Sequence, residues 1–278
     1  GYSTYVLMDH FVRGLDPVAT LGAAAVATNT LRLGSMVFDN DFRHPAVLAK
    51  AMATVDVLSE GRLEIGIGAG WLREEYDQTG IPFDPVGVRI DRMVEAVQLM
   101  KRSFDEERMT FAGEHYTTSE LALVPRPVQK PHPPFVIGGG SKRILSIAAR
   151  EANTVNITTR ALPDGTKDFA DMTPDRIETK IGWVRAAAGD RFEGIELAAM
   201  ISDVVVTDDR LGEAERLADS LGVSAGDVLA SPHMLIGSPE QMVEDLQQRR
   251  ERYGMSYFIV LEGDREKVAP VVARLAGT

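Results

Sequence analysis

Two polar segments stand where apolar runs of the sequence end. Asp9-His10 follows the strand-like run 2–8, and an imidazole in that position can orient or protonate a flat ring. The alternative is that His10 only ties down a loop. The second segment runs from Met36 to Asn40, where a plain strand followed by a turn is the simpler interpretation.

A third segment, GIGAGW at residues 66–71, is rich in glycine and ends in an indole. Gly68 and Gly70 would let a flat ligand approach the backbone, and Trp71 would stack on such a ligand or wall its pocket. The spacing is not the dinucleotide-binding fingerprint, because the third glycine and a capped helix are missing from the sequence pattern.

The fourth segment is GGGSKR at residues 138–143. A strand, three glycines and the start of a helix present backbone N–H groups at the positive end of a helix dipole, which predicts an anion site. The alternative is a plain turn with cations at the surface. Glu74 and Glu75 are predicted to cap a turn or to pair with Arg73.

The amino-acid composition argues against several other kinds of functional site. The chain has 278 residues, 30 Lys+Arg against 41 Asp+Glu, a net charge of −11 and no Cys. The acidic balance argues against nucleic acid as a partner, and the lack of Cys excludes disulfides and thiolate chemistry. Metal-site spacing is missing from the histidines, so no metal is expected; those considered were His115, His132 and His233.

The elements that must position these segments follow a regular order. Strand-like runs alternate with helical ones, which predicts a parallel α/β fold, either a doubly wound sheet or a barrel. We expect one domain over residues 1–278, with an insertion at about 108–134 that includes a possible hairpin, a polar loop at about 160–172, and one strand over 197–206. Helices are predicted to begin at Asp16-Pro17 and at the capping box Ser238-Pro239-Glu240-Gln241.

No run of the sequence has the roughly 20 apolar residues that a membrane span needs, since Val18 to Val26 is far shorter. A signal peptide is not expected either. We therefore expect no membrane partner, and the lack of Cys is consistent with a cytoplasmic protein.

Several segments, in the right order, resemble the bacterial-luciferase-like oxidoreductases. They are MDHF, HPAVLAK, TVDVLSEGR, GIGAGW, PRPVQKPHPPFVIGGGS and LIGSPEQMVEDL. The resemblance implies a (β/α)8 TIM barrel that binds FMN or the deazaflavin coenzyme F420, and PAVLAK with GWLREEYDQTGIPFDP is most similar to the F420-dependent branch. Family members are commonly homodimers, which we expect here by analogy.

The resemblance also implies which residues bind the coenzyme. Asp9 and His10 match ring contacts, Met36-Val37 matches a strand end with a non-prolyl cis peptide bond, and the glycine turn matches the phosphate loop. Asn40 is added from its position at the strand end and not from the resemblance. The predicted cofactor-binding residues are then Asp9, His10, Met36, Val37, Asn40, Gly68, Gly70, Trp71, Gly139, Gly140 and Ser141.

The implied activity is hydride transfer between C5 of the deazaflavin and a small organic substrate, with His10 as the catalytic residue. Trp71 stands where the sugar-phosphate dehydrogenases of the family have an acidic Glu. Because Trp transfers no protons, we expect a more apolar substrate, with His10 or a bound water handling protons. The alternatives are an FMN-dependent monooxygenase and a flavin- or deazaflavin-binding protein without catalysis.

The count of strands falls one short of a closed barrel. Only about seven strands follow from Tyr2, whereas the barrel needs eight. Residues 1–11 look like the second strand of the family, with Gly1 to Ser3 as the end of the first crossover. We expect a first β-α unit of roughly 20–30 residues that is missing from this sequence.

Overall fold

The computed structural model describes residues 1–160, 162 and 168–276. The chain divides into two compact units: an N-terminal unit of residues 3–137, and a C-terminal unit of residues 138–278 that also includes Gly1 and Tyr2. Part of the predicted loop at about 160–172, namely Ala161 and residues 163–167, lies outside the described residues. The prediction of a single domain stays a prediction.

The N-terminal unit alternates strands with helices. Its strands are β1 (Thr4–Leu7), β2 (Arg32–Ser35), β3 (Phe38–Asp39), β4 (Leu63–Gly68), β5 (Met109–Ala112), β6 (Thr117–Leu121) and the first three residues of β7 (Phe135–Gly139). Its helices are α1 (Pro17–Ala27), α2 (Pro45–Leu58), α3 (Arg73–Thr79) and α4 (Val86–Asp105), with a short 3-10 turn at Asn40–Phe42.

The main sheet of this unit is parallel, in the order β1-β2-β4-β7, and β3 also pairs with β4. Parallel pairing places the carboxyl ends of these strands at one edge, where loops carry polar residues. Strand β4 has five buried residues in succession, as expected for a strand covered on both faces. The insertion at about 108–134 contains the antiparallel pair β5 and β6.

The C-terminal unit has a similar alternation. Its strands are β8 (Thr154–Ile157), β9 (Glu196–Ile201), β10 (Asp203–Val206), β11 (Met234–Gly237) and β12 (Met255–Val260). Its helices are α5 (Lys142–Glu151), α6 (Pro174–Ala188), α7 (Arg210–Leu221), α8 (Ala225–Ala230), α9 (Pro239–Tyr253) and α10 (Arg265–Leu275), with 3-10 turns at Phe169–Met172, Gly189–Gly194 and Glu262–Asp264.

Strands β8, β9 and β12 pair in parallel, and so do β10 and β11. The single strand predicted over 197–206 is wrong, because the run is interrupted at Ser202. The backbone N–H of Ser202 donates to the carbonyl of His233 at 2.8 Å, and the chain then pairs with β11 instead. The predicted alternation of parallel strands and helices is confirmed in each unit.

Local capping signals are confirmed where the sequence predicted them. The side chain of Asp16 accepts the backbone N–H of Ala19, with Pro17 as the first residue of α1. Ser238 and Gln241 form a reciprocal capping box at the start of α9. Such side chains satisfy N–H groups that the helix itself leaves unpaired.

Replacing Ser238 tests this cap. Ser238→Ala is expected to lower the free energy of unfolding by about 1 kcal/mol, because the hydroxyl that accepts from Gln241 is lost. Ser238→Asp keeps an acceptor and is expected to stay close to the wild type. Urea unfolding of the three proteins provides the comparison, and equal losses in both variants would contradict the role of the cap.

Candidate functional site

His10 lies directly after β1, and its partner is a carboxylate 65 residues away. Its Nδ1 is 2.8 Å from Oε2 of Glu75, on helix α3. The side chain of Glu75 is buried, with 2% exposed, and that of His10 is partly buried, with 11% exposed. The Trp71 indole stands edge-on to the imidazole, with the ring centroids 6.1 Å apart.

The predicted role of Glu75 in a turn or with Arg73 is wrong. Residues 73–79 form helix α3, in which Arg73 pairs with Asp77, and Glu74 accepts a hydrogen bond from Gln78. Glu75 points instead toward the loop after β1. Two features of the sequence could have revealed α3: acidic residues in the first turn and a glycine, Gly80, just after the last turn. In the structure Gly80 adopts the left-handed conformation that often ends a helix.

The carboxylate of Asp9 is occupied within the chain. It pairs with the guanidinium of Arg43 through two hydrogen bonds and also accepts the backbone N–H of Asp39 at 3.1 Å. These bonds connect the end of β1 to the end of β3. The side chain of Asp9 therefore positions the loops, and its predicted contact with a coenzyme ring stays a prediction.

Asp39 belongs to a buried carboxylate cluster with Asp41. The hydroxyl of Tyr76 donates to both oxygens of Asp39 at 2.9 and 2.8 Å, and the backbone N–H of Asp41 donates to Oδ1. Burial raises the pKa of Asp39 to about 6, although these hydrogen bonds by themselves would lower it. The negative charges of Asp41 and Asp9 add to the increase. Arg92 binds Asp41 through two hydrogen bonds.

The peptide bond between Met36 and Val37 is cis, which confirms the prediction for this strand end. Asn40 is buried, with 2% exposed, and its amide donates to the hydroxyl of Tyr116 at 3.1 Å. The end of β3 therefore combines an unusual backbone bond with an amide held in place by a neighbouring tyrosine.

The glycines of β4 are required by contacts inside the chain. A methyl group at Gly66 would overlap the carbonyl oxygen of Ser35, and one at Gly68 would lie 2.6 Å from a methyl of Val37. Gly70 has a φ of 73°, and a side chain there would overlap the hydroxyl of Tyr76. Close packing is a sufficient reason for these glycines, and their predicted contacts with a flat ligand stay predictions.

The glycine turn at 138–141 belongs to the C-terminal unit and leads into α5. A side chain at Gly140 would overlap the backbone of residues 159–160, so glycine is required there for packing too. Ser141 is the N-cap of α5, and within the described part of the chain its side chain makes no capping hydrogen bond to the helix. The N–H groups of the first turn of α5 can therefore bind an anion.

The predicted site residues thus divide between the units. Those in the N-terminal unit share the carboxyl ends of its parallel strands: Asp9, His10, Met36, Val37, Asn40, Gly68, Gly70 and Trp71. Gly139, Gly140 and Ser141 lie in the C-terminal unit. Across the described residues, no group of three or more His, Asp or Glu is placed to hold a metal ion, and no helix is long and apolar enough to cross a membrane.

Residues 1–225 match the luciferase-like monooxygenase family, so the chain belongs to that family and the predicted membership is confirmed. An F420-dependent glucose-6-phosphate dehydrogenase of Intrasporangium calvum is 37% identical over 150 residues, 50% of this chain and 45% of that protein. An FMNH2-dependent dimethylsulfone monooxygenase of Pseudomonas putida is 29% identical over 135 residues, 49% of this chain and 37% of that protein. The chain matches about half or less of the length of these relatives.

The same fold occurs in a solved structure. The coenzyme F420-dependent tetrahydromethanopterin reductase of Methanopyrus kandleri superposes with a TM-score of 0.75 at 19% identity, over 99% of this chain and 90% of that one. At this identity the likeness shows the fold alone, which is the luciferase-like α/β fold of the TIM-barrel class.

The raised pKa of Asp39 predicts a pH-dependent stability. The folded state keeps the proton of Asp39 up to about pH 6, whereas an ordinary Asp loses it near 3.8. The unfolding free energy should therefore fall as the pH rises through this window, by about 1.4 kcal/mol for each unit between the two pKa values.

Asp39→Asn removes this titrating carboxyl group. The unfolding free energy of the variant is therefore expected to fall less than that of the wild type over the same pH range. Asp77→Asn, which removes an exposed carboxylate from α3, is the matched control and should keep the wild-type dependence. Urea unfolding across the window measures the effect. Parallel curves for the wild type and Asp39→Asn would contradict the assignment.

Proposed function

We propose that this protein is an F420-dependent oxidoreductase, in which a hydride is exchanged between the deazaflavin and a small organic substrate. The observation that carries the proposal is the partly buried His10–Glu75 pair after β1, in a chain whose relatives include F420-dependent enzymes. A histidine held by a carboxylate at the ligand-facing end of a parallel sheet is a suitable proton donor and acceptor.

One feature of this structure fits the phosphate of a phosphorylated coenzyme. Helix α5 begins after a glycine turn, and its N-cap Ser141 leaves the first-turn N–H groups available to an anion. In this proposal Gly139, Gly140 and Ser141 hold a phosphate. When bound, the deazaflavin supplies hydride chemistry at C5.

In the N-terminal unit, the proposed ring contacts are Asp9, His10, Met36, Val37, Asn40, Gly68, Gly70 and Trp71. Trp71 is 48% exposed beside His10, so it offers an apolar wall and no acidic group. This supports a substrate more apolar than a sugar phosphate. We propose His10 as the group that takes or gives the substrate proton.

A second candidate is an FMN-dependent monooxygenase, which the dimethylsulfone monooxygenase among the relatives favours. A third is a coenzyme-binding protein without catalysis. The homodimer and the cytoplasmic location stay predictions.

Titration of the apo-protein with F420 and with FMN, followed by fluorescence, separates the first two candidates. We expect F420 to bind more tightly, and tighter binding of FMN would contradict the proposal. With reduced F420, a panel of apolar enones and ketones should be turned over, and glucose 6-phosphate should not serve as a hydride donor to oxidised F420. A tight complex that no substrate oxidises or reduces would favour the third candidate.

His10→Ala is expected to lower kcat at least about tenfold and to weaken F420 binding much less, because the imidazole moves a proton and is only one of several proposed ring contacts. The measurements are steady-state turnover at the deazaflavin absorption band and the same fluorescence titration. Equal losses of binding and turnover would assign His10 a structural role.

Ser141→Glu tests the phosphate turn. A negative charge at the start of α5 is compatible with the helix dipole but repels a bound phosphate, so we expect at least a tenfold weaker F420 complex. Ser141→Gln has a similar size without the charge and should retain most of the affinity. Equal affinities of the two variants would contradict this site. Ser141 suits the test better than Gly140, where any side chain would overlap the backbone.

A further inference from the structure

We infer that Glu75 is a positioning residue that holds His10 in a single tautomer, with the proton on Nδ1, so that Nε2 is the nitrogen that exchanges a proton with the substrate. The tautomer follows from the structure alone. Its catalytic consequence rests on the proposed function.

The first argument is the chemistry of the hydrogen bond. Oε2 of Glu75 lies 2.8 Å from Nδ1 of His10, and an ionised carboxylate can only accept. The proton in this bond must therefore come from Nδ1. In the neutral imidazole, Nε2 then carries the lone pair.

The second argument is that Glu75 is held as an anion. Its Oε1 accepts the backbone N–H groups of Phe11 and Val12, at 2.8 and 3.3 Å. Although burial of the carboxyl opposes ionisation, the hydrogen bonds from His10 and from these N–H groups outweigh it, and the pKa of Glu75 lies below its usual value. A protonated Glu75 with reversed donor and acceptor roles is therefore disfavoured.

The third argument is geometric. One oxygen of Glu75 holds the ring of His10 and the other holds the two residues that follow it, so the carboxylate fixes both the imidazole and the backbone that carries it. The ring cannot exchange its two nitrogens without breaking a buried, charge-assisted hydrogen bond. Trp71, edge-on at 6.1 Å, borders the same ring.

The proton balance of the proposed reaction uses this arrangement. In the direction of substrate oxidation, the substrate would give a hydride to a bound coenzyme and a proton to Nε2 of His10. In the reverse direction both return to the substrate. The Nδ1 proton stays on His10 throughout, donated in a hydrogen bond to Glu75, and the negative charge of Glu75 stabilises the imidazolium that forms, as a carboxylate does for other catalytic histidines.

Glu75→Gln is designed to invert the tautomer while it preserves the fold. The amide oxygen of Gln can still accept from Phe11 and Val12, and its NH2 group would donate to Nδ1 of His10. The His10 proton would then lie on Nε2, which removes the lone pair from the reactive position. Glu74→Gln is the matched control, because Glu74 is the exposed neighbour that bonds only to Gln78 among the contacts described.

The readout is the 15N NMR spectrum of the apo-protein labelled at histidine, with the His10 signals assigned by their loss in His10→Ala. For the neutral form of His10, in the wild type and in Glu74→Gln we expect a protonated Nδ1 and an unprotonated Nε2, and in Glu75→Gln the reverse. A wild-type His10 with its proton on Nε2, or the same tautomer in Glu75→Gln, would overturn the inference. The wild-type spectrum decides this even if Glu75→Gln does not fold.

Kinetics then test the catalytic consequence. We expect Glu75→Gln to lower kcat by about 10- to 100-fold, with the dissociation constant for F420 within about twofold of the wild-type value. Unchanged turnover despite an inverted tautomer would overturn the role of Nε2. If His10→Ala also keeps full turnover, the proposed catalytic role of His10 is wrong. The NMR result still decides whether Glu75 sets the tautomer.

Discussion

The need to satisfy buried carboxylates governs the N-terminal unit at the carboxyl ends of its strands. Asp9, Asp39 and Glu75 are all buried, and an unpaired charge in such a position would cost several kcal/mol. Each carboxylate therefore has partners: Arg43 binds Asp9, and the hydroxyl of Tyr76 donates to Asp39. The pairs connect loops that the sheet alone would leave independent.

These connections also hold several loop ends in place where chemistry is proposed. The loop after β1 is held by Glu75 from α3, and the end of β3 is held by the carboxylate of Asp9. Glycines at positions 66 and 68 let the backbone of residues 35–37 lie against β4, so the cis bond and the loop ends share one packed region. Removal of one partner would leave a buried charge unpaired and disturb the others.

Much of the fold could be predicted because its signals are local. Asp16-Pro17 and the Ser238 capping box mark helix starts through side chains that bond to N–H groups within three residues. Buried parallel strands appear as largely apolar runs, as in β4, where Glu64 is the one charged residue and pairs with Arg32. The interruption at Ser202 was missed because it depends on a hydrogen bond to His233, a residue distant in the chain.

The family, the alternation of strands and helices and the helix starts at Pro17 and Pro239 could be predicted from the amino-acid sequence, since each depends on neighbouring residues or on a motif. The cis bond at Met36-Val37 was implied by the resemblance to the family. The bond between Glu75 and His10, in contrast, could be recognised only in the three-dimensional structure. Nothing in the local pattern links two residues 65 positions apart; the bond exists because β1 and α3 bring them together and because a buried carboxylate must find donors.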